Sequence, residues 1–449
     1  MRKDLHGLTL STDSGTAVDA FDRATQSYLK YRTDAGRHLG AALKADPNFA
    51  LAHVLRGYFA LLTYNKANTP TAMEALGEAR AHAKRTTTRE AAHTEALARW
   101  VDGDLERMLD VWEGILAEHP HDVLAFRLHH FNAFWLGRPA IMQAEVERVF
   151  PHWSAELPGW AMMLSCRCFA HEEAGNYVLA EGAGRLAIEI DPGDLWGAHA
   201  IAHVLEMQGR RVEGIDWLRR LEPNWEGANN IKHHLYWHRA MFHLERREFD
   251  DVLSLYDHGF RDLRSQLVQA VPDLYIDVQN AASMLFRLER QGVDVGDRWV
   301  ELADKAEARI GDCLSAFTLP HWMMALAATA RWDTAKKMLD AMRVFARGNG
   351  TVERLVGRVA LPLCEAVLAH RQGKWGEALQ RLRPIVGNLY LLGGSHAQQD
   401  VLEQLYLDTA LNAGSADDVR LMLERVSGRH PVPPGRRVGY ATAAKQYAL

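Results

Sequence analysis

The chain has 449 residues, which is too long for one ordinary compact core and predicts about two to three domains or one array of repeats. Hydrophobic residues make up 48% and charged residues 24% of the sequence, and this balance excludes a largely disordered or collagen-like protein. The formal net charge is −5 without long runs of like charge, which argues against a nucleic-acid partner or an anionic membrane surface.

The N-terminal sequence MRKDLHGLTL has basic residues but no apolar segment behind them, so we expect no signal peptide. No run of about 18 apolar residues occurs, so we expect no membrane span. Cys166, Cys168, Cys313 and Cys364 form no C-x-x-C pair, which favours buried free thiols in a reducing compartment. We therefore predict a cytoplasmic protein.

Proline residues mark a repeat along the chain. Pro47, Pro120 and Pro192 each follow an amphipathic helical pattern and are spaced about 72 residues apart, and Pro158 nearly halves the second interval. Proline ends such helices because it lacks an N–H donor and restrains the residue before it. The underlying period of roughly 34 to 36 residues is that of tetratricopeptide repeats.

The unit after Pro158 shows the predicted helix pair, with a first helix over 159–173, a turn at 174–176 and a second helix over 177–190. The segment 291–312 is either an insertion or a displaced repeat. No strand-like alternation is sustained, so the chain is predicted to be all-α. Later first helices are predicted at 193–208, 231–246, 273–290, 315–329, 353–371 and 396–413.

These patterns predict a right-handed, tetratricopeptide-like superhelical solenoid of antiparallel helix pairs with a concave inner face. Residues 1–20 are predicted to form an N-terminal arm or cap, residues 21–415 a single solenoid domain, and residues 416–449 a C-terminal helix and a proline-containing tail. Each pair buries its apolar face only against its neighbours, so stability is expected to come from stacking.

Histidine is unusually frequent, with 22 residues, and two pairs stand out. His199 and His203 are spaced i, i+4, as are His234 and His238, so each pair shares one helix face. Glu206, seven residues after His199, lies on the same face as the first pair. Both pairs fall in predicted first helices, which line the concave surface of tetratricopeptide arrays. The two pairs are therefore expected to face one interior.

Imidazole exchanges protons near neutral pH and binds divalent metals in its neutral form. We predict His203 or His238 as a general base or metal ligand, Glu206 as the orienting carboxylate and His396 as a second acid or base. A zinc-protease motif is excluded because Ala200, not Glu, follows His199. If a divalent metal such as Zn²⁺ is bound, its predicted ligands are His199, His203, His234 and His238.

Further residues are predicted to contact a substrate, and Ser395 is also an N-cap candidate just before His396 and Asp400. The alternatives left open are a metal-free polar pocket, histidines that only bond between helices, and aromatic residues that only pack the core. The predicted substrate-binding residues are His199, His234, Trp196, Trp237, Asp277, His321 and Ser395.

The chain resembles the tetratricopeptide repeat protein 38 family over most of residues 1–415. The segments that carry the resemblance are LHGLTLST (5–12), ADPNFALAH (45–53), DPGDLWGAHAIAHVLEMQG (191–209), WHRAMFHL (237–244), LFRLERQG (285–292) and GGSHAQQD (393–400). The resemblance implies an α-solenoid with degenerate repeats and does not imply a reaction. Phe286 and Gln399 depart from the family pattern, which has Trp and Arg there.

Two functions are compatible with these patterns. The first is a hydrolase- or lyase-type enzyme that binds a small molecule in a histidine-rich pocket and performs acid–base chemistry, or metal-assisted chemistry if a divalent metal such as Zn²⁺ is bound. The alternative is a scaffold that binds a peptide or partner protein along the concave groove, with Arg127, Lys232 and Arg239 as candidate clamps. A homodimer is a further expectation, because solenoid ends often associate.

Overall fold

The computed structural model describes residues 1–447, and the last two residues of the predicted C-terminal tail, Ala448 and Leu449, lie outside the described residues. The described chain is helical apart from a short antiparallel ribbon of β1 (Arg2–Lys3) and β2 (Thr9–Leu10). The predicted all-α, tetratricopeptide-like fold class is confirmed. Within residues 1–447, no helix combines the length and apolar character needed to cross a bilayer.

The chain forms two compact units. The first comprises Met1–Ile201, Pro223–Ile231 and Gly350–Val352, and the second comprises Ala202–Glu222, Lys232–Asn349 and the chain from Glu353 onward. The predicted domain boundaries at residues 20 and 415 stay predictions. The first ten helices are α1 (Gly15–Leu29), α2 (Ala35–Ala45), α3 (Ala50–Leu61), α4 (Thr69–Ala81), α5 (Thr88–Val101), α6 (Leu105–Glu118), α7 (Val123–Trp135), α8 (Pro139–Val149), α9 (Trp160–Glu173) and α10 (Tyr177–Ile190).

The remaining helices follow from residue 195 on, and the division into units falls inside the first of them. They are α11 (Leu195–Met207), α12 (Arg211–Leu221), α13 (Ile231–Glu245), α14 (Phe249–Leu255), α15 (Gln266–Ala270), α16 (Tyr275–Arg290), α17 (Arg298–Ala308), α18 (Thr318–Ala328), α19 (Trp332–Phe345), α20 (Thr351–Leu355), α21 (Leu361–Arg371), α22 (Trp375–Leu382), α23 (His396–Asn412), α24 (Ala416–Arg429) and α25 (Ala441–Gln446).

The turn inside each helix pair contains one residue with positive φ. Between α9 and α10 it is Gly175 (φ 78°) and between α11 and α12 it is Gly209 (φ 69°), because glycine adopts this conformation without a Cβ clash. Successive turn residues are 33 to 45 residues apart and define eleven pairs within residues 1–447. The turn residues are Tyr31, Tyr64, Gly103, Gly137, Gly175, Gly209, Arg247, Gly292, Ala330, Gly373 and Gly414.

The predicted gap at 291–312 contains α17, the second helix of the pair that begins with α16, so this segment is a displaced repeat and not a loop insertion. The predicted helix over 353–371 is interrupted by a π-helical turn at Val356–Ala360. Pro362 lies in the first turn of α21, where its missing N–H prevents an unbroken α-helical ladder.

First and second helices of a pair differ in burial. In α7 all residues except Phe131 are buried, and α16 is buried from Tyr275 to Leu288 apart from Ile276. The second helices bury one face, as in α10, where Ala180, Ala183 and Ala187 pack inward. Chemical groups on the first helices are therefore shielded from water, and this is where the histidine pairs lie.

Candidate functional site

Three imidazoles come together in the second unit. His203 lies on α11, and His234 and His238 lie one turn apart on α13. The ring centroids of His203 and His238 are 4.4 Å apart and those of His234 and His238 are 4.7 Å apart. One nitrogen from each ring lies within 4.8 Å of the others, and no ring is more than 3% exposed. We call these three residues the histidine cluster.

His199 lies one turn before His203 on α11, as the sequence pattern requires. Within the first unit, its ring packs 4.6 Å from Trp196 and 5.5 Å from Phe169, measured between centroids. Trp196, predicted to bind substrate, is thereby placed in an aromatic layer beside His199.

Side-chain oxygen atoms form hydrogen bonds with Nδ1 of two rings of the histidine cluster. Nδ1 of His238 lies 3.0 Å from Oε2 of Glu206, and Nδ1 of His234 lies 3.1 Å from Oδ1 of Asn280. An amide oxygen only accepts, so His234 donates from Nδ1 and its Nε2 carries the lone pair. An oxygen partner on Nδ1 is the usual arrangement around metal-binding histidines.

Burial also sets the charge state of the cluster. Desolvation lowers the pKa of His238 to about 3, and desolvation together with the neighbouring imidazoles holds the pKa values of His203 and His234 well below the ordinary range. Burial raises the pKa of Glu206 to about 8, although Arg287 opposes the shift. The three rings are therefore neutral at physiological pH, which is the form that binds a metal ion.

Trp237, another predicted substrate-binding residue, packs against the cluster. Its ring lies nearly parallel to that of His234, with centroids 5.2 Å apart and an angle of 8°, and meets His238 edge-on at 4.9 Å. The side chain is fully buried. This packing restricts ring rotation and preserves the geometry of the cluster.

A small cavity in the second unit adjoins the cluster through Glu206 and is also lined by His396, Asp400 and Arg437. Its volume of about 30 Å³ admits one or two water molecules, whereas sites for organic ligands measure several hundred Å³. His396 is half-buried and desolvation lowers its pKa to about 4. Asp400 is engaged elsewhere, since its carboxylate accepts hydrogen bonds from Tyr440 and Gln404 and pairs with Arg437.

The remaining sequence-predicted residues have other partners. Asp277 lies 3.0 Å from Nδ1 of His233, the neighbour of His234 on α13. His321 donates from Nδ1 to the backbone oxygen of Phe317 at 2.8 Å. Ser395 closes a capping box at the start of α23 together with Gln398.

Sequence analysis missed Asn280 and His233 as parts of this region. Asn280 lies three residues after Asp277 on α16, so the same helical periodicity that selected Asp277 would have included it. His233 precedes a histidine of an i, i+4 pair and has no spacing pattern of its own. Only the approach of α16 to α13 shows that Asn280 meets His234 of the cluster and that Asp277 meets the adjacent His233.

No known family model matches the chain. Among solved structures, yeast Tom70 is 13% identical with a TM-score of 0.39, covering 96% of this chain and 95% of that one. A monomeric mutant of IFIT1 with Gppp-AAAA is 14% identical with a TM-score of 0.40, covering 99% and 95%. Naa15/Naa10 bound to HypK-THB is 12% identical with a TM-score of 0.25, covering 96% and 65%. At these scores none of the three informs the function of this chain.

Proposed function

We propose that this protein is a helical-repeat protein that binds a divalent transition metal at the histidine cluster, with Zn²⁺ as the leading candidate. The observation that carries the proposal is that His234 and His238 have Nδ1 directed to Asn280 and Glu206, beside the ring of His203. Imidazole nitrogens fixed from behind by oxygen partners are typical ligands of Zn²⁺. Assignment to the tetratricopeptide repeat protein 38 family belongs to the same proposal and rests on the sequence segments given above.

The number of ligands decides which kind of metal site this is. Three histidines leave one coordination position for water or substrate, as in catalytic zinc sites, whereas four nitrogens close the site and make it structural. The sequence analysis predicts His199 as a fourth ligand, so the role of His199 distinguishes an open catalytic site from a closed structural one. His199→Ala would leave an open site intact and would sharply weaken a closed one.

An open site would support metal-assisted hydrolysis or a lyase-type proton transfer. Glu206 contacts both His238 and the cavity of about 30 Å³, and with its pKa raised to about 8 it carries a proton at neutral pH, so it is placed to donate a proton to a group held there. His396 borders the same cavity and is the candidate for the second proton transfer. The volume fits water better than a whole organic substrate, so a substrate would present only its reacting group.

The test is metal analysis of the purified full chain by mass spectrometry, followed by Zn²⁺ titration of the metal-free protein. We expect one tightly bound ion, and loss of that ion in His238→Ala and in His234→Ala. His370→Ala is the matched control, because His370 is buried in the same unit but pairs with Asp408, outside the cluster. Circular dichroism confirms that each variant is folded.

Two results would overturn the metal proposal. One is a folded wild-type protein that neither contains nor binds a transition metal. The other is equal metal binding by the two cluster variants and the control.

A partner-binding scaffold is the second candidate function, and the surface of α10 favours it. Leu179, Leu186 and Ile190 are 55%, 43% and 50% exposed and follow one another at helical spacing, so they form an apolar stripe. We infer that this stripe packs against the apolar side of an amphipathic peptide segment, which is a common mode of peptide recognition.

A phage-displayed peptide library selected on the wild-type protein tests the scaffold. The selected peptides are then measured on the double variant Leu179→Glu, Leu186→Glu, with His238→Ala as the control. Apolar peptides that lose binding only on the stripe variant support the scaffold. Enrichment of no peptide, or equal binding to both variants, contradicts it.

A further inference from the structure

Arg127, on α7 of the first unit, is a buried cation without a carboxylate partner. The residue is 2% exposed, and no carboxylate pairs with it within residues 1–447. Its guanidinium donates to the Tyr31 hydroxyl and contacts Sγ of Cys166 at 3.9 Å. Arginine stays charged in proteins, so one positive charge is buried beside neutral groups.

Asp194 is the carboxylate whose charge acts most on Arg127, but it forms no direct ion pair with the guanidinium, because it caps α11. Its Oδ2 accepts from the Ser165 hydroxyl at 2.6 Å, and its Oδ1 accepts from the backbone N–H groups of Trp196 and Gly197 at 3.0 and 3.1 Å. Oδ1 is therefore engaged at the start of α11 and Oδ2 by a hydroxyl of α9.

Aromatic rings stabilise the cation only in part. The guanidinium carbon lies 4.4 Å from the Trp196 ring centroid and 5.4 Å from that of Tyr31. Contacts of this type contribute about 0.5–2 kcal/mol, whereas an uncompensated buried charge costs several kcal/mol.

Two other polar groups around the Trp196 ring are also buried without a hydrogen-bond partner among the described residues. One is Nε1 of Trp196, and the other is the imidazole of His130, whose two nitrogens are both unpartnered. His130 lies three residues after Arg127 on α7, and its ring meets Trp196 edge-on at 6.2 Å. Arg127 and Trp196 can only donate hydrogen bonds, and a neutral imidazole donates one.

Unpartnered buried donors beside one cation favour an acceptor with negative charge. We propose that Arg127, Trp196 and His130 form a binding site for a carboxylate monoanion. The planar guanidinium matches the two oxygens of a carboxylate, and one positive charge balances one negative charge. The neighbouring rings of Phe169 and Tyr31 suit a carboxylate with a small apolar body. This site is independent of the histidine cluster and of the metal proposal.

Thermal unfolding tests the site with acetate, benzoate and inorganic phosphate as probes, at an ionic strength held constant with sodium chloride. Binding to the folded protein alone raises Tm, by about 3 °C at a ligand concentration of 100 times Kd for a chain of this length. We expect acetate or benzoate to raise the wild-type Tm and phosphate to do so less. Calorimetric titration gives Kd for the same probes.

Arg127→Met is the decisive variant, because it keeps the length of the side chain and removes the charge. We expect its anion-free Tm to equal or exceed that of the wild type, and its Tm not to respond to carboxylates. If this variant does not fold, Arg127→Lys replaces it, and the loss of the planar fork should weaken carboxylate binding at least 10-fold.

Three results would overturn the carboxylate site. The wild-type Tm would fail to respond to either carboxylate, phosphate would bind as tightly as carboxylate, or both Arg127 variants would respond to carboxylates as the wild type does. The first result, combined with a lower anion-free Tm for Arg127→Met, would show that the cation–π contacts alone retain the arginine.

Discussion

Replacement of Asn280 separates a metal-binding role of His234 from simple packing. Oδ1 of Asn280 lies 3.1 Å from Nδ1 of His234 and holds the tautomer with the lone pair on Nε2. Asn280→Leu keeps a similar volume and removes the acceptor. Asn280→Asp is the matched variant, since it keeps an oxygen at the same position.

The magnitude follows from the role of such oxygen partners. Loss of the group that orients a metal-binding histidine weakens metal affinity about 10- to 100-fold, which corresponds to about 1.4–2.7 kcal/mol. We therefore expect Asn280→Leu to raise the Kd for Zn²⁺ by this factor. Asn280→Asp should bind at least as tightly as the wild type, because a carboxylate makes the imidazole more basic.

The assay is competition between the metal-free protein and a chromophoric chelator at neutral pH, with circular dichroism as the control for folding. Equal Kd values for the wild type and a folded Asn280→Leu variant would refute the reasoning. That result would mean that His234 is not a ligand, or that Asn280 does not determine its orientation.

Three further predictions concern stability. Gly214→Ala should lower the free energy of unfolding by up to about 2 kcal/mol in a urea titration, because the new Cβ would lie 2.3 Å from the Phe242 ring and outweigh the better helix propensity of alanine; a stabilised variant would contradict this. Thr87→Ala should cost about 1 kcal/mol by the same measurement, since Thr87 closes the capping box of α5, and Thr87→Ser should restore the loss. Asp418 should make the protein acid-sensitive: its hydrogen bond with Arg383 lowers its pKa to about 2, so its stabilisation is present above about pH 4 and is lost as the pH falls toward 2. Because Arg383 is half-exposed, the loss should be about 1–2 kcal/mol between these limits, and an Asp418→Asn variant with an unchanged pH profile would disprove it.

The repeat period could be predicted where glycine or proline marks a turn. The helix predicted over 177–190 agrees with α10 at both ends, since Asn176 and Asp191-Pro192 bound it. Elsewhere Tyr31, Arg247 and Ala330 adopt the same positive φ at the turn. The predicted helices 231–246 and 315–329 end just before Arg247 and Ala330, so these two turns were placed by the end of the helical pattern. At Tyr31 and Tyr64 no glycine marks the turn, and the packing of the flanking helices imposes the positive φ. The sequence pattern gave bounds for seven first helices, from 159–173 to 396–413, whereas the described chain has eleven helix pairs.

The sequence by itself determined that His234 and His238 share one helix face, because the α-helical period depends only on the backbone. It also determined the all-α fold class, through the periodic spacing of apolar residues. Only the tertiary structure decided that His203 lies beside this pair, that Asn280 holds one ring, and that Arg127 is buried without a carboxylate. Burial, partner choice and shifted pKa values arise from helices that are distant in the chain, and local periodicity contains no information on which helices meet.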